Sequence, residues 1–151
     1  MLKVKEKEEI SEVYNNTAVA LAYVAGMVDG EGCISARYFE QNSIHNDLGY
    51  SNIRMDVRIY NKNRESLELC QQVIGGTLYQ RVNTHWILYL TNRKQMKAGL
   101  LKILPYLIIK RCQAELLLEL IDLRSDKHHG FTEREIEIIE EFRTLNKKGY
   151  P

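Results

Sequence analysis

Residues 17–28, TAVALAYVAGMV, are apolar on nearly every side of the helix that they would form. A helix without a polar face is normally surrounded by protein, so this segment predicts a fully buried helix. Asn16 or Thr17 is a suitable N-cap. The apolar stretch stops abruptly at residues 29–32, DGEG, where two glycines supply the break. The rest of the chain has to fold around this helix and its acidic end.

Composition places the chain among ordinary globular proteins. A length of 151 residues with 44% hydrophobic residues fits one domain, residues 1–151, and argues against disorder. Residues 1–16 are polar and charged, which predicts a loosely ordered lead-in without a signal peptide. The sequence has no run of 18 apolar residues, so we expect no membrane span.

The three cysteines, Cys33, Cys70 and Cys112, are far apart and lack a CxxC spacing. They predict buried thiols rather than a zinc site or a disulfide framework. Free thiols are typical of a reducing compartment, so we expect an intracellular protein, in the cytoplasm of a prokaryote or the matrix or stroma of an organelle.

Charge is unevenly distributed along the chain. The net charge is only +1, but residues 1–50 carry four basic and eight acidic side chains, residues 51–111 carry eleven and three, and residues 112–151 carry six and nine. A basic middle between acidic ends is typical of a polyanion-binding surface on a neutral body. Chance clustering of solvated charges is the alternative explanation.

Hydrophobic periodicity predicts an α+β domain with one four-stranded antiparallel sheet, in the order α-β-β-α-β-β-α-α-α. The predicted strands cover residues 33–41, 52–59, 77–82 and 85–91. After the first helix, Asn61 or Asn63 caps a second that runs to residue 74, and three more cover residues 94–104, 109–123 and 132–145. A capping box, Thr132 to Glu135, opens the last helix.

The solvent faces of the predicted strands carry unusual side chains. Alternation puts guanidinium, amide and carboxyl groups on one face of the first two strands: Ser35, Arg37, Phe39, Gln41, Asn52, Arg54, Asp56 and Arg58. The second hairpin adds Tyr79, Arg81, His85 and Tyr89, or Gln80 if its register shifts by one. Such residues can read bases, since arginine pairs with guanine, amides with adenine and aspartate with cytosine. A merely solvated sheet face is the competing interpretation.

Two features of the first helix go beyond packing. Ala18, Ala22 and Gly26 recur every four residues, which leaves a stripe where a second backbone can approach. Asp29 and Glu31 lie at the helix C-terminus, where the macrodipole is already negative. A divalent cation bound by carboxylate and carbonyl oxygens would offset that cost.

The sequence resembles the LAGLIDADG homing endonucleases from about residue 18 to residue 145. The resemblance includes the motif VAGMVDGEG at 24–32, the strand–helix junction near Asn61 that leads to IGG at 74–76, the segment PYLIIKRCQA at 105–114 and the closing LNKKG at 145–149. The order of predicted elements is also that of the family, αββαββα.

The resemblance implies a half-enzyme, because family members with one motif act as homodimers. The stripe of Ala18, Ala22 and Gly26 would form the interface. Glu31 and the carbonyl of Gly30 would bind Mg²⁺, with Mn²⁺ or Ca²⁺ as substitutes, and Asp29 would brace the helix end.

The family's remaining functional positions also have counterparts here. Lys110 and Asn61 match residues that order water around the nucleophile, and Arg64 is a weaker candidate. The polar sheet face would lie in the major groove of double-stranded DNA.

The implied function is an intron-encoded, Mg²⁺-dependent endonuclease that cuts a long pseudo-palindromic DNA site across the minor groove and leaves 3′ overhangs. Two alternatives remain on the same fold. A maturase would bind intron RNA and assist splicing. A regulator would keep the sheet and the dimer for DNA binding without the metal, although the retention of Glu31 and Lys110 argues against it.

Overall fold

A computed structural model describes residues 17–39, 52–82, 84–125 and 130–147. The predicted lead-in at 1–16 and the predicted site residue Gln41 lie outside these ranges. The helices are α1 Ala18–Glu31, α2 Arg64–Ile74, α3 Arg93–Ile103, α4 Arg111–Leu123 and α5 Glu133–Lys147. The strands are β1 Gly32–Phe39, β2 Asn52–Asn61, β3 Thr77–Gln80 and β4 Trp86–Leu90. The predicted α+β class and the order of elements are confirmed.

The four strands form one antiparallel sheet in the order β1-β2-β4-β3. Strand β2 is therefore central, paired with β1 along residues 52–59 and with β4 along 57–61. The helices pack on one face, where alternate residues of the strands are buried: Ile34, Ala36, Ile53, Met55, Val57, Ile59, Leu88 and Leu90. The intervening residues form the opposite face, which we call the outer face.

Local capping determines where the helices begin. The Thr17 hydroxyl accepts from the backbone N–H of Ala20 at 3.1 Å, and Asn63, rather than Asn61, caps α2. The predicted capping box is present, because the Thr132 hydroxyl accepts from the N–H of Glu135 while the Glu135 carboxylate accepts from the N–H of Thr132. Three of the sequence signals for helix starts are thus confirmed.

The first helix departs from its prediction in two respects. It continues to Glu31, because Gly30 adopts helical backbone angles and the break comes at Gly32, where φ is −93° and ψ is 165°. It is also not fully buried within one chain. Ala20, Val24, Ala25 and Val28 are buried, but the opposite side of the helix is exposed.

The cysteines also depart in part from the prediction of buried thiols. Cys70 is buried against the sheet, and burial raises the pKa of its thiol to about 12. Cys33 is half-buried, and Cys112, the second residue of α4, is exposed. None of the described helices is long and apolar enough to cross a membrane.

Gly76 offers a test of the packing under β4. It has a φ of +105°, and a Cβ there would lie 2.8 Å from Leu90 Cδ1 and 3.1 Å from Leu88 Cδ1. Gly130 also has positive φ, +85°, but a Cβ there would meet nothing within 4 Å. We expect Gly76→Ala to lower the free energy of unfolding by about 3 kcal/mol, through backbone strain and overpacking together.

The matched control, Gly130→Ala, carries the backbone strain alone and should cost about 1–2 kcal/mol. Urea denaturation measures both. Equal losses would show that the leucines move aside.

Candidate functional site

Asp29 fastens the end of α1 to the segment that precedes α4. One carboxylate oxygen accepts from the N–H of Ile108 at 2.9 Å, and the other accepts from the N–H groups of Ile109 at 3.2 Å and Lys110 at 2.9 Å. These are contacts across about 80 residues of chain. The carboxylate therefore satisfies three backbone donors that approach the N-terminus of α4, where a negative charge is favourable.

Lys110 lies at the same junction and complements the negative charge at the C-terminus of α1. Its Nζ donates to the carbonyl oxygen of Asp29 at 2.6 Å. The last carbonyls of a helix carry the negative end of its dipole and have no partner within it, so an ammonium group stabilises them. The sequence-predicted Lys110 thus lies against the end of α1.

Glu31 meets Asn61 immediately beyond this clamp. The Nδ2 of Asn61, at the end of β2, donates to Glu31 Oε2 at 2.8 Å. The Oδ1 of Asn61 accepts from the backbone N–H of Asn63 at 2.7 Å, which fixes the orientation of the amide. The structure therefore brings together two predicted catalytic residues that are 30 positions apart.

The oxygen donors at this helix end suit a divalent cation. Glu31 is exposed. The carbonyl of Val28 accepts the capping N–H of Gly32, and the carbonyl of Gly30 lies two residues further towards the C-terminus of the helix. Carboxylate and backbone carbonyl oxygens are the ligands that Mg²⁺ and Ca²⁺ prefer. The described ranges contain no group of three or more histidine, cysteine, aspartate or glutamate side chains that could hold a metal. Glu31 and the carbonyl of Gly30 are the groups at this helix end that could hold such a cation.

The outer face carries a hydrogen-bonded cluster on β1 and β2. Asp56 accepts from the hydroxyl of Ser35 at 3.0 Å and from Nε of Arg58 at 3.0 Å. Nη1 of Arg58 donates to the Tyr60 hydroxyl at 3.3 Å, and the Tyr89 ring lies 5.8 Å from the guanidinium carbon. Asp56 is fully buried by these neighbours. A buried carboxylate has no surface to offer a base, so its predicted direct contact with cytosine does not fit this structure.

Other predicted residues of the outer face lie on the solvent side of the sheet. Arg37 and Arg54 are exposed and directly opposite in the register of β1 and β2. The guanidinium of Arg54 also lies 4.4 Å from the Phe39 ring. Asn52 is exposed at the start of β2, and its carboxamide oxygen accepts from its neighbour's N–H, that of Ile53, at 2.9 Å.

Arg64 lies at the first residue of α2 rather than on the outer face. Its Nε donates to Glu68 at 2.8 Å, and its guanidinium lies 4.6 Å from the centre of the Trp86 ring. Trp86 pairs with Asn61 in the register of β2 and β4, so the contact with Trp86 places Arg64 near the strand end that carries Asn61.

The register of β3 against β4 settles which residues of the second hairpin point outward. Tyr79 pairs with Ile87, and its ring lies 6.4 Å from that of Tyr89 on the outer face. Gln80 pairs with Trp86 and shares the helix-facing side with Leu78, although it is exposed at the sheet end. Arg81 and His85, which both are exposed, close the hairpin through a 2.7 Å hydrogen bond between their backbones. The register with Tyr79 outward is therefore the one adopted.

The exposed side of α1 is apolar and carries a stripe of small side chains. Ala18, Ala22 and Gly26 are all exposed, and a Cβ added to Gly26 would meet nothing within 4 Å. Between them, Val19 is 77% exposed and Tyr23 is 42% exposed. The predicted stripe of small residues is thus an open surface of this chain.

Three residues of the site were not among the sequence candidates. Tyr60 follows Arg58 at a spacing of two, so it would have joined the polar face had the predicted strand been extended beyond residue 59. The N–H groups of Ile108 and Ile109 that bind Asp29 have no sequence signal, because nothing local connects positions 29 and 108.

The fold and the site define an α+β domain with a carboxylate at a helix end and an arginine-bearing sheet face. Residues 24–113, more than half of the sequence, match the LAGLIDADG endonuclease family. The chain belongs to that family, and the resemblance noted from the sequence is confirmed.

Among known proteins, the chain is similar to the DNA endonuclease I-CvuI of Chlorella vulgaris, with 30% identity over 103 residues. That match spans 66% of this chain and 62% of the relative's length, less than two thirds of it. A crystal structure of I-CvuI in complex with the I-CreI target, in the presence of Mg and with the DNA not cleaved, superposes with a TM-score of 0.64 at 26% identity, covering 86% of this chain and 79% of that one. Another was solved with its own target in the presence of Ca.

The fold extends to more distant relatives. An archaeal intron-encoded homing endonuclease, I-Vdi141I, complexed with DNA, superposes with a TM-score of 0.70 at 21% identity, over 87% of either chain. This likeness shows a shared fold.

The Asp29 clamp generates a prediction about stability. Asp29→Ala leaves three N–H groups without their acceptor, and hydrogen bonds to a charged group contribute roughly 1.5–3 kcal/mol each when buried. Partial exposure reduces that sum, and removing a negative charge from the C-terminus of α1 stabilises the helix by about 0.5 kcal/mol. We therefore expect the free energy of unfolding to fall by about 2 kcal/mol. Urea denaturation monitored by circular dichroism measures it.

Asp122→Ala is the matched control, because Asp122 makes one exposed ion pair, with Lys97 at 2.7 Å. Its loss should cost less than about 1 kcal/mol. Comparable losses for the two variants would contradict a special role for Asp29.

Proposed function

We propose that this protein is a site-specific homing endonuclease that makes Mg²⁺-dependent double-strand breaks in a long DNA target. The observation that carries the proposal is the contact between Glu31 and Asn61 at the end of α1. It puts an exposed carboxylate where the central strand of the outer face ends. A metal-binding group and a surface able to bind DNA therefore adjoin in one chain.

The chemistry is hydrolysis of a phosphodiester bond. Glu31 and the carbonyl of Gly30 would hold Mg²⁺, for which Mn²⁺ or Ca²⁺ can substitute at the same oxygens. When bound, the cation stabilises negative charge on the phosphate and makes a bound water more acidic. Asn61 keeps the Glu31 carboxylate in place through Nδ2 and is positioned to order water beside it.

Lys110 supplies the positive charge of the site. Its ammonium lies on the carbonyl of Asp29, two residues before Glu31. From there it can stabilise a phosphate oxygen or order the water molecules around the nucleophile. Asp29 acts indirectly, because it binds the backbone of Ile108, Ile109 and Lys110 and so keeps the lysine at the helix end.

The outer face is proposed to bind the major groove. Its exposed donors, among them Arg37, Arg54 and the partly exposed Arg58, lie on adjacent strands with a sheet spacing of about 4.8 Å. The predicted contacts from the second hairpin extend this surface: Tyr79, Arg81, His85 and Tyr89. Gln80 faces the helix side, which makes it a weaker candidate. Gln41 lies outside the described residues and stays a prediction.

The active form is proposed to be a homodimer that packs α1 against α1. The exposed stripe of Ala18, Ala22 and Gly26 supports this arrangement, since it lets two helix backbones approach closely. Two copies would put both Glu31 carboxylates at one two-fold axis, and a two-fold protein predicts a pseudo-palindromic target. We propose that the gene lies in an intron. The protein would act in a reducing cytoplasm or organelle, since its cysteines are free and Cys112 is exposed.

A direct test of the activity selects cleaved sites from a partly palindromic DNA library with Mg²⁺. The wild type should cleave one long site, and Glu31→Gln should lose at least about 100-fold in cleavage rate, since a metal ion supplies several kcal/mol to the transition state. Glu31→Gln should still bind the selected site. Glu140→Gln on α5, where the carboxylate pairs with Arg143 on the surface, is the control and should cleave normally.

Binding by both proteins without cleavage would overturn the enzymatic proposal in favour of a regulator. Stronger binding to a folded intron RNA than to any duplex DNA would favour a maturase.

The homodimer is tested by its mass in solution. Light scattering after gel filtration should give twice the 17.6 kDa mass of one chain for the wild type. Ala22→Arg puts a charge in the stripe and should give a monomer that keeps its circular dichroism spectrum but does not cleave.

Ala98→Arg, the same substitution at an exposed position of α3, should remain dimeric. A monomeric wild type that cleaves DNA would contradict the proposed interface.

A further inference from the structure

Arg58 is held on the outer face from three sides. Its Nε and Nη2 both donate to the Asp56 carboxylate, at 3.0 Å and 3.5 Å, so the pair is side-on. Its Nη1 donates to the hydroxyl of Tyr60 at 3.3 Å, and the ring of Tyr89 on the adjacent strand lies 5.8 Å from its central carbon. A side chain with so many contacts has a defined direction before any ligand arrives.

The donors that remain on Arg58 have a particular geometry. A guanidinium has five N–H groups, and the contacts with Asp56 and Tyr60 use one on Nε, one on Nη2 and one on Nη1. One N–H on each terminal nitrogen remains. This parallel pair at the tip of the side chain is the donor set that matches O6 and N7 of guanine in the major groove.

The environment of Asp56 suits a residue that positions Arg58 rather than one that contacts a base itself. It is fully buried, and its carboxylate accepts from both Arg58 and the hydroxyl of Ser35. The side chain of Arg58 is 28% exposed. Burial is the largest single influence on the pKa of Arg58 and lowers it, but the charge of Asp56, the neighbouring Tyr60 and the hydrogen bond to Asp56 together raise the pKa by more, so the guanidinium stays charged.

We propose that Asp56 and Tyr60 are positioning residues that aim Arg58 at a guanine, so that this position of β2 specifies one G·C base pair in each half of the DNA target. The inference rests on the proposed function, because it concerns DNA recognition by the same face. It replaces a direct aspartate–cytosine contact with an indirect one, in which the carboxylate determines what the arginine can reach. A preformed arginine binds with less loss of side-chain entropy than a mobile one.

The experiment measures base preference with the full-length protein. The probe is a set of duplexes in which each base pair of the selected target is varied singly, assayed by competition binding with Ca²⁺. Arg58→Gln should lower the preference for G·C about tenfold at one base pair of each half-site. Asp56→Asn should lower it at that same base pair by a similar factor, and Tyr60→Phe by about threefold.

Two comparisons separate positioning from a general structural role. The double variant Asp56→Asn/Arg58→Gln should lose no more preference at that base pair than Arg58→Gln alone, because both changes remove one contact. Arg54→Gln, on the same strand and face but stacked on Phe39, should change preference elsewhere in the site.

Several outcomes would overturn the inference alone while DNA binding stands. One is that Asp56→Asn changes the base preference at a different base pair from Arg58→Gln. Another is that Asp56→Asn leaves all base preferences unchanged. A third is that Arg58→Gln lowers the affinity for all sequences equally, which marks a phosphate contact. If Asp56→Asn does not fold, Tyr60→Phe decides, and an unchanged preference at the Arg58 base pair overturns the proposal. A wild type that prefers no sequence overturns the proposed function together with it.

Discussion

The three hydrogen bonds to the Asp29 carboxylate hold the end of α1, which carries Glu31, against the segment before α4. They join the C-terminus of α1 to the start of α4, two helix ends of opposite partial charge, and the ammonium of Lys110 strengthens the same junction. Glu31 lies two residues beyond Asp29 at the end of the same helix, so the junction also holds the helix end that carries Glu31. An acidic residue in an unfavourable place on its own helix is thus stabilised by the polar backbone of another segment.

Much of this arrangement could be predicted from the sequence. Period-two alternation identified the outer face, and the capping box at Thr132 and the caps at Thr17 and Asn63 identified helix starts. The length of α1 could not be predicted, because Gly30 is typical of a helix break and the contacts of Asp29 with residues 108–110 have no signal in the sequence. Asp56 shows the limit of patterns most clearly, since alternation gave its correct face but not its burial under Ser35 and Arg58.

Electrostatics on the outer face depends on arrangement rather than on total charge. The chain has a net charge of +1, yet Arg37, Arg54 and Arg58 lie on the same face of two adjacent strands. Phe39 and Tyr89 lie beside two of these guanidinium groups and limit their rotation. Non-specific attraction to a polyanion scales with the number of phosphates neutralised. A surface with few but well-oriented cations therefore favours selectivity over strength.

Strand β2 connects the two parts of the site, with Arg58 on one side and Asn61 on the other. An odd spacing of three residues makes the side chains point to opposite sides of the sheet, and at about 3.3 Å per residue it separates them along the strand by about 10 Å. Side-chain substitutions cannot change that length. The distance along the strand is therefore fixed, and only an inserted or deleted residue, such as a β-bulge, would move Asn61 and its contact with Glu31 relative to Arg58.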